Sequence, residues 1–309
     1  MSGKNIYDLI IIGAGPAGMT AAIYAARQKI NFLILGRTIG GQVSWSTEVE
    51  NYPGILKIQG SELVKNFQEH LKGYGVGIKQ EEVVSVDKQG KVFVVKTKKN
   101  VYETKSVIIA SGKSPRKLNV PGENELQGKG VSYCATCDAP LYKDKVIAVI
   151  GGANSGLEAA LFLSKYAIKI YLLEVLPKLG GDVYLQEKVL KNKKIQVMTG
   201  VKIKEIKGEN FVTGLKYEKE EKETELKIDG VFVEVGMITK ADFTDVKKNK
   251  WGEIMIFKNL KTFEHNLTSV DGIFAAGDAT NIAFKQIIVA AGEGAKAALA
   301  VFNYLNQWE

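Results

Sequence analysis

Cysteine, histidine and arginine are scarce in this sequence of 309 residues, which has two cysteines, two histidines and three arginines. A disulfide framework needs more cysteine pairs in a smaller chain, and a structural zinc site needs four cysteine or histidine ligands. His70 and His265 lie far along the chain from Cys134 and Cys137. We therefore predict neither a disulfide scaffold nor a metal site.

Long apolar runs are missing as well. No stretch of about 20 residues is free of charged side chains, so no membrane-spanning helix is predicted. The apolar run near the N-terminus contains Asp8 and leads into a glycine motif instead of a small-residue cleavage site, so a signal peptide is not predicted either. We expect a cytoplasmic protein.

The net charge of +8 comes almost entirely from lysine. The lysines are interspersed with glutamates, as in residues 216–225, and form no basic stripe with aromatic residues of the kind that binds nucleic acid. Most of these charges are predicted to be solvated surface, and nucleic acid is not a predicted partner. With 45% apolar and 25% charged residues, the chain has the composition of a soluble protein and the length for two domains.

Two glycine-rich segments each follow an apolar run that suits a buried strand. The first run, Leu9–Ile12, leads into Gly13–Gly18, and the second, Val146–Ile150, leads into Gly151–Gly156. An alanine-rich segment that suits a helix follows each turn, and another apolar run follows that. This order of strand, turn, helix and strand is typical of a dinucleotide-binding unit, and it occurs twice.

The glycines of such a turn let the backbone approach a pyrophosphate, which the next helix attracts through its dipole and its unpaired N–H groups. The run after the first turn ends in Leu35-Gly36-Arg37, without the acidic residue that would bind a ribose. Taken alone, the first turn could therefore be a tight turn without a ligand.

The second turn has Ala153 in place of the middle glycine, where a methyl group would crowd the pyrophosphate. In its favour, the following run ends in Glu174, whose carboxylate can bind the ribose 2′-hydroxyl of NAD and would repel the 2′-phosphate of NADP. Lys178 is the only cation close to it in sequence. We predict NADH in preference to NADPH, and the alternative for Glu174 is a solvated strand end.

The two cysteines form one Cys-x-x-Cys pair, Cys134 and Cys137, which Asp138 follows directly. Such a pair can close a small disulfide ring at the start of a helix, where the dipole lowers the pKa of a thiol and makes one sulfur a good nucleophile or leaving group. Asp138 is placed to exchange protons with the pair. Because the pair precedes the second glycine turn closely, we predict that redox sulfur and nucleotide share a domain.

The whole chain resembles the low-molecular-weight thioredoxin reductases, a family of pyridine nucleotide-disulfide oxidoreductases, and its second half is similar to the flavoprotein module of alkyl hydroperoxide reductase. Besides the first turn and the cysteine motif, the resemblance is carried by Gly40-Gly41-Gln42, residues 50–54, Ala110-Ser111-Gly112, residues 272–278 and Lys285-Gln286-Ile287. This family usually lacks the acid after the first glycine motif, so the objection to the first turn disappears.

The resemblance implies an α/β fold of two Rossmann-like domains, the second inserted into the first. We expect residues 1–113 plus 244–309 to bind FAD and residues 114–243 to bind the nicotinamide nucleotide and carry the cysteine pair. For FAD the implied residues are Gly13, Gly15, Ala17, Gly18, Gly41, Gln42, Asn51, Val83, Ala110, Gly112, Gly277, Asp278, Lys285, Gln286 and Ile287. For the nicotinamide nucleotide the predicted residues are Gly151, Gly152, Asn154, Ser155 and Glu174.

The implied activity is transfer of electrons from NAD(P)H through FAD and the Cys134–Cys137 disulfide to thioredoxin or a glutaredoxin-like protein, by a homodimer. The resemblance assigns Cys137 to the flavin side, Cys134 to attack on the partner's disulfide and Asp138 to general acid catalysis. It also implies that Asp278 binds the ribityl chain and that the last helix begins near the pyrimidine end of the flavin.

The chain departs from this family in its second half. Members that use NADPH carry a His-Arg-Arg cluster where this sequence has residues 174–177. In this segment the sequence is instead similar to the NADH-using module of the peroxide reductase. The sequence lacks that protein's extra thioredoxin-like domain, so a separate protein partner is expected. Three alternatives stay open: a peroxiredoxin-system reductase with a separate carrier, a donor such as ferredoxin, which Ala153 keeps open, and a flavin-binding module without turnover.

Overall fold

The structure, a computed structural model, describes residues 6–46, 49–259 and 265–308, and divides into two compact units. The first unit comprises residues 6–45, 49–114, 238–259 and 265–308 of the described chain, and the second consists mainly of Pro115–Met237. The second unit is therefore an insertion in the first. Its end lies at residue 237, whereas the sequence suggested a junction near residue 244.

The first unit is built from strands and helices on both sides of the insertion. Before the insertion its elements are β1 (Tyr7–Ala14), α1 (Pro16–Arg27), β2 (Phe32–Ile39), α2 (Gly60–Gly73), β3 (Ile78–Lys79), β4 (Val83–Gln89), β5 (Val92–Thr97), β6 (Val101–Ile109) and β7 (Lys113–Pro115), the last of which crosses into the second unit.

The second unit combines helices with a larger number of short strands. Its elements are β8 (Val131–Ser132), α3 (Ala135–Asp138), β9 (Val146–Ile150), α4 (Asn154–Leu163), β10 (Lys169–Glu174), α5 (Val183–Lys191), β11 (Ile195–Thr199), β12 (Lys202–Gly208), β13 (Val212–Lys219), β14 (Lys222–Lys227) and β15 (Gly230–Val233). β16 (Met237–Thr239) crosses back into the first unit and pairs with β7, and β17 (Ile273–Ala275) and α6 (Ile287–Asn306) follow there.

The sheet of the first unit has β1 near its centre, in the order β3-β2-β1-β6-β5-β4, with β17 paired to β6. β1 is parallel to β2 and β6, and β17 is parallel to β6. Leu9 and Ile11 pack into one apolar cluster and Ile10 and Ile12 into another, because successive side chains of a strand point to opposite faces. A strand that is buried on both faces reads as a continuous apolar run, which is why residues 9–12 are all aliphatic.

The second unit repeats this plan in a parallel sheet of order β11-β10-β9-β15-β8. Ile147 and Val149 of β9 pack into one cluster with α4, and Ala148 and Ile150 pack into another with the antiparallel sheet β12-β13-β14. The α/β fold with two Rossmann-like domains is thereby confirmed. Both glycine turns follow the carboxyl end of a central parallel strand, which is where open α/β sheets bind ligands.

The last helix, α6, is the one described helix whose length and hydropathy would suffice to cross a membrane. It contains Glu293 and Lys296, and the carboxylate of the buried Glu293 accepts a hydrogen bond from Asn266 Nδ2 at 2.5 Å. Close packing of α6 on α1 places Gly294 so near Ala17 that a Cβ would lie 2.0 Å from the Ala17 carbonyl oxygen. These contacts are those of a core helix.

Candidate functional site

In the first glycine turn, neighbouring backbone lies so close to two of the glycines that no side chain would fit there. Gly13 has φ +115°, and a Cβ there would lie 2.1 Å from the carbonyl oxygen of Ala110 at the end of β6. A Cβ at Gly18 would lie 1.8 Å from the carbonyl oxygen of Gly13. These glycines let β1, α1 and β6 converge, and the N–H groups of the first turn of α1 remain available for a ligand.

Gly15 faces open space. It is the N-cap of α1 with extended backbone (φ −85°, ψ −174°), no side chain caps the helix, and the nearest protein atom to a Cβ would be the Gly40 carbonyl oxygen at 4.0 Å. Nearby, the Oγ of Ser111 is buried and finds no hydrogen-bond partner in the described part of the chain. An open position beside a helix N-terminus and an unpartnered buried hydroxyl both fit a bound dinucleotide such as FAD.

Two long-range hydrogen bonds bring the predicted flavin residues of the N-terminal and C-terminal segments together. Gln42 Nε2 donates to Asp278 Oδ2 at 3.3 Å, and Asn51 Nδ2 donates to Gln286 Oε1 at 3.1 Å. Gln286 is the N-cap of α6, and no side chain caps that helix. The start of α6 therefore offers a second set of unpaired N–H groups within the same unit.

Charged side chains surround Asp278. Burial raises the pKa of this carboxyl, and the cations Lys285 and Lys113, together with the hydrogen bond from Gln42, act against that effect. Lys285 Nζ lies 3.4 Å from Glu253, to which Lys113 also donates at 2.5 Å. Burial also lowers the pKa of Lys285. The carboxyl of Asp278 is thus shielded from water, and it can accept a hydrogen bond from a hydroxyl group of a ligand.

The other predicted flavin residues lie around this site at varying distances. Ala17 and Gly277 touch, since a Cβ at Gly277 (φ +71°) would lie 2.9 Å from that of Ala17. Gly112 (φ +66°) and Gly41 (φ +58°) adopt backbone that favours glycine. Val83 begins β4 and packs on the cluster that contains Leu35 at the end of the β2 apolar run, and Ile287 packs on the cluster of Val43 and Val64.

The second glycine turn has nearly the same backbone as the first. Ala153 is the N-cap of α4 with φ −86° and ψ −180°, within a few degrees of Gly15, and no side chain caps α4. Extended backbone of this kind suits alanine as well as glycine, so Ala153 is not strained. Its methyl group occupies the position that is open at Gly15, and this is the position that a pyrophosphate would approach.

The side chain of Glu174 packs against the second glycine turn. Its side chain is buried, Oε2 accepts from the Gly152 N–H at 2.5 Å, and Oε1 accepts from the Leu176 N–H at 2.8 Å. A Cβ at Gly152 would lie 2.8 Å from that Oε2. Glu174 is therefore a buried and fixed carboxylate against the glycine turn, and the alternative of a solvated strand end is wrong.

Asn154 and Ser155, the other two side chains predicted at this turn, are both exposed and both hydrogen-bonded. Asn154 Nδ2 donates to Asp182 at 3.0 Å, and Ser155 Oγ donates to the carbonyl oxygen of Glu234 at 3.3 Å.

Cys134 and Cys137 form a disulfide with a Cα–Cα distance of 5.3 Å. Cys134 is the N-cap of α3 and Cys137 lies within this short helix, so the pair is at a helix start. Cys134 Sγ also lies 3.5 Å from Thr136 Oγ1. Among residues 6–46, 49–259 and 265–308, no cluster of three or more His, Cys, Asp or Glu side chains could hold a metal ion.

Asp138 directly follows Cys137 in the chain and is mostly buried. Burial raises the pKa of its carboxyl, and a hydrogen bond from Ser132 Oγ at 2.7 Å opposes this. The second oxygen, Oδ1, is buried and has no hydrogen-bond partner among the described residues. An acid with one free buried oxygen can hold a proton near the sulfur atoms.

Three residues of this region were not predicted from the sequence. Ser132 links Asp138 to the disulfide, because its Oγ also accepts from the Cys134 N–H at 3.1 Å. Burial and then the charge of Asp138 raise the pKa of Tyr142, whose ring packs on Phe232 with centroids 4.8 Å apart. The third residue is Glu234, at the end of β15. Its only sequence signal is an acid that directly follows an apolar run.

Comparison with known proteins identifies the family. The chain matches the family model described as pyridine nucleotide-disulphide oxidoreductase over residues 7–294. The chain belongs to this family. It is a flavoprotein oxidoreductase of the thioredoxin-reductase type, and the family implies FAD and a nicotinamide nucleotide as cofactors.

Individual members of this family differ in length and in their named activities. Thioredoxin reductase from Streptococcus pyogenes is 35% identical with a TM-score of 0.89, covering 98% of this chain and 99% of its own. A ferredoxin-flavin thioredoxin reductase from Clostridium acetobutylicum is 34% identical with a TM-score of 0.54, covering 98% of both chains. A subunit of alkyl hydroperoxide reductase from Staphylococcus aureus is 40% identical over 98% of this chain. The chain spans about 60% of the length of such curated relatives.

Proposed function

We propose that this oxidoreductase passes electrons from NADH through FAD to the Cys134–Cys137 disulfide, and from there to the disulfide of a thioredoxin or glutaredoxin-like protein. The observation that carries the proposal is the disulfide itself, which lies at the start of α3 with a mostly buried acid behind it. The same unit contains the second glycine turn, and the first unit contains the turn that suits FAD.

The residues of the chain have distinct roles in this proposal. The turn at Gly13–Gly18 and the start of α6 bind FAD by backbone N–H groups, and Asp278 orients its ribityl chain. When bound, FAD supplies the conversion between a hydride donor and a dithiol. Cys134 attacks the partner's disulfide, Cys137 then closes the ring on Cys134, and Asp138 protonates the leaving sulfur.

The preference for NADH rests on Glu174. Its carboxylate is fixed by the N–H groups of Gly152 and Leu176, so it cannot turn away from a ligand without leaving two donors unpaired. A fixed carboxylate accepts hydrogen bonds from a ribose 2′-hydroxyl and repels a 2′-phosphate.

An anaerobic titration tests the electron path. NADH and NADPH are added separately to the yellow protein, and the loss of flavin absorbance is followed. We expect NADH to bleach the flavin and NADPH to do so much more slowly. Faster reduction by NADPH would contradict the role of Glu174, and a protein that binds no flavin after supplementation would contradict the whole proposal.

A mixed-disulfide trap tests the delivery of electrons. The Cys137→Ser variant, reduced and mixed with an oxidised thioredoxin, should accumulate a stable adduct through Cys134, because the resolving thiol is missing. The Cys134→Ser variant is the matched control and should form no such adduct. Turnover that survives replacement of both cysteines would refute the disulfide step.

A second candidate function is a reductase of the same disulfide that takes electrons from ferredoxin. The methyl group of Ala153, in the place where the equivalent Gly15 is open, favours this alternative, and the Clostridium acetobutylicum relative is named for such a donor. Reduced ferredoxin that bleaches the flavin when neither nicotinamide does would support it.

A third possibility concerns the partner. The relative from Staphylococcus aureus is a subunit of alkyl hydroperoxide reductase, which suggests a peroxiredoxin system with a separate thioredoxin-like carrier. Peroxide turnover in the presence of a peroxiredoxin and such a carrier, and not with a peroxiredoxin alone, would support this assignment. A homodimer in the cytoplasm remains our expectation for either partner.

A further inference from the structure

Glu234 occupies a place between the nucleotide turn and the cysteine pair. β15 is parallel to β9, with Val233 opposite Ile150, so the residue after each strand lies at the same edge of the sheet. The Glu234 N–H donates to the Ile150 carbonyl oxygen at 2.8 Å. A Cβ at Gly151 would lie 2.4 Å from the Glu234 carbonyl oxygen. The backbone of Glu234 is thus part of the wall of the second glycine turn.

Strand pairing places Glu234 beside the cysteine pair as well. β15 is also parallel to β8, with Phe232 opposite Ser132, so Glu234 and Cys134 each lie two residues beyond this pair, at the same edge of the sheet. Ala135 itself is buried. Glu234 therefore follows the strand beside the one that leads into Cys134, and Asp138 is joined to Cys134 through Ser132.

We propose that Glu234 is a positioning residue that couples proton uptake to reduction of the Cys134–Cys137 disulfide, as a second acid beside Asp138. It acts through its charge and through the electrostatic effect that it and the N–H of Ala135 have on each other. A negative carboxylate beside the pair disfavours formation of a thiolate there, and a thiolate in turn favours protonation of the carboxylate.

Reduction of the disulfide to one thiol and one thiolate breaks the S–S bond and consumes two electrons and one proton. With Glu234 taking up a further proton, the step consumes two protons for two electrons. The inference rests on the proposed function in one respect, namely that this disulfide undergoes reversible reduction. In the test, dithiothreitol supplies both electrons and is oxidised to its cyclic disulfide.

The surroundings of Glu234 suit this exchange near neutral pH. Burial raises the pKa of its carboxyl to about 7, and the N–H of Ala135 acts against this. Of the elements packed against it, α3 contributes Asp138, whereas β8 and β9 contribute no titratable side chain. On β13, Lys216 and Glu218 are occupied in ion pairs with Glu205 and Lys204.

The test compares the redox equilibrium of wild-type holoprotein and the Glu234→Gln variant with dithiothreitol between pH 6 and pH 8. The reduced fraction is counted by alkylation and mass spectrometry, since Cys134 and Cys137 are the only thiols in the sequence. At pH 6 Glu234 is protonated, so the two proteins should have similar equilibrium constants. By pH 8 the wild-type disulfide should be about threefold or more harder to reduce than that of the variant, because a thiolate then forms beside a negative carboxylate. Glu158→Gln, which removes an exposed carboxylate from α4, should behave as wild type throughout.

If the ratio of the two equilibrium constants for reduction, wild type to Glu234→Gln, stays constant from pH 6 to pH 8, the inference is overturned and the proposed function is left intact. A wild-type disulfide that does not exchange reversibly with dithiothreitol would overturn both. Should the variant fail to fold, infrared difference spectra of wild-type protein labelled with 13C-glutamate give a second readout. Reduction at pH 7.5 should then produce the carbonyl band of a protonated glutamic acid, and its absence would refute the proposal.

Discussion

A single methyl group at Gly15 should separate ligand binding from folding. The backbone of Gly15 is extended and suits alanine, and a Cβ there would lie 4.0 Å from the nearest protein atom. Gly15→Ala should therefore keep the fold of the apoprotein, and a gain of about 0.4–1 kcal/mol is expected because alanine restricts the unfolded chain. The same methyl would stand in the space that the pyrophosphate of FAD needs.

The size of the loss follows from the hydrogen bonds at stake. A methyl group that displaces the pyrophosphate lengthens at least one charge-assisted hydrogen bond from the start of α1. Such a bond contributes about 1.5–3 kcal/mol, which corresponds to a rise of roughly 10- to 150-fold in the Kd for FAD.

Fluorescence titration of FAD into deflavinated protein measures this Kd, and thermal unfolding of the apoprotein measures the effect on the fold. Gly292→Ala is the matched control, because Gly292 lies on α6 with no atom within 4 Å of a Cβ and should leave FAD affinity unchanged. Unaltered FAD affinity in Gly15→Ala would refute the placement of the pyrophosphate over Gly15. A loss of folded apoprotein would refute the claim that the site is open.

Three further predictions concern the second unit. Ala153→Gly should increase the rate of flavin reduction by NADH about tenfold at subsaturating donor, measured by stopped-flow absorbance, without altering reduction by dithionite; an unchanged rate would show that the methyl does not obstruct the nucleotide. Glu174→Gln should narrow the preference for NADH over NADPH about tenfold in the same assay, because it removes the charge that repels a 2′-phosphate, and an unchanged preference would count against that role. The pKa of Glu234 is raised to about 7, so the folded protein keeps a proton that the unfolded chain releases above its ordinary pKa of about 4.3. Relative to Glu234→Gln, wild type should therefore lose stability as pH rises from about 4.5 to about 7, by on the order of 3 kcal/mol. If the difference in urea midpoint between wild type and the variant is the same at pH 5 and pH 7.5, the raised pKa is refuted.

The central strands and their turns could be predicted from the sequence because their signals are local. Residues 9–12 and 146–150 are apolar throughout since both faces of β1 and β9 are buried, and the glycines that follow mark the close approach of neighbouring backbone. The Cys-x-x-Cys pair is equally local, and its placement at a helix start was predicted correctly.

Features that depend on strand order could not be predicted in this way. β15 contains four residues and lies beside β9, far from it in sequence, so nothing local indicates that Glu234 meets the second turn and the disulfide loop. The same holds for β8, a two-residue strand whose pairing with β15 brings Ser132 to its place. The sequence suggested a junction near residue 244, whereas the inserted unit ends at residue 237. The pairing of β7 with β16, which marks this end, has no sequence pattern of its own.

The hydrogen bonds from Gln42 to Asp278 and from Asn51 to Gln286 join residues 236 and 235 positions apart. During synthesis on a ribosome, Pro115–Met237 is translated before Asp278 and Gln286, the partners of Gln42 and Asn51. The second unit can thus complete its own core first, whereas the first unit needs β17 and α6 before its FAD site is formed. Binding of FAD is consequently a late event in biogenesis. Chains truncated before α6 should retain the Cys134–Cys137 disulfide but bind no flavin.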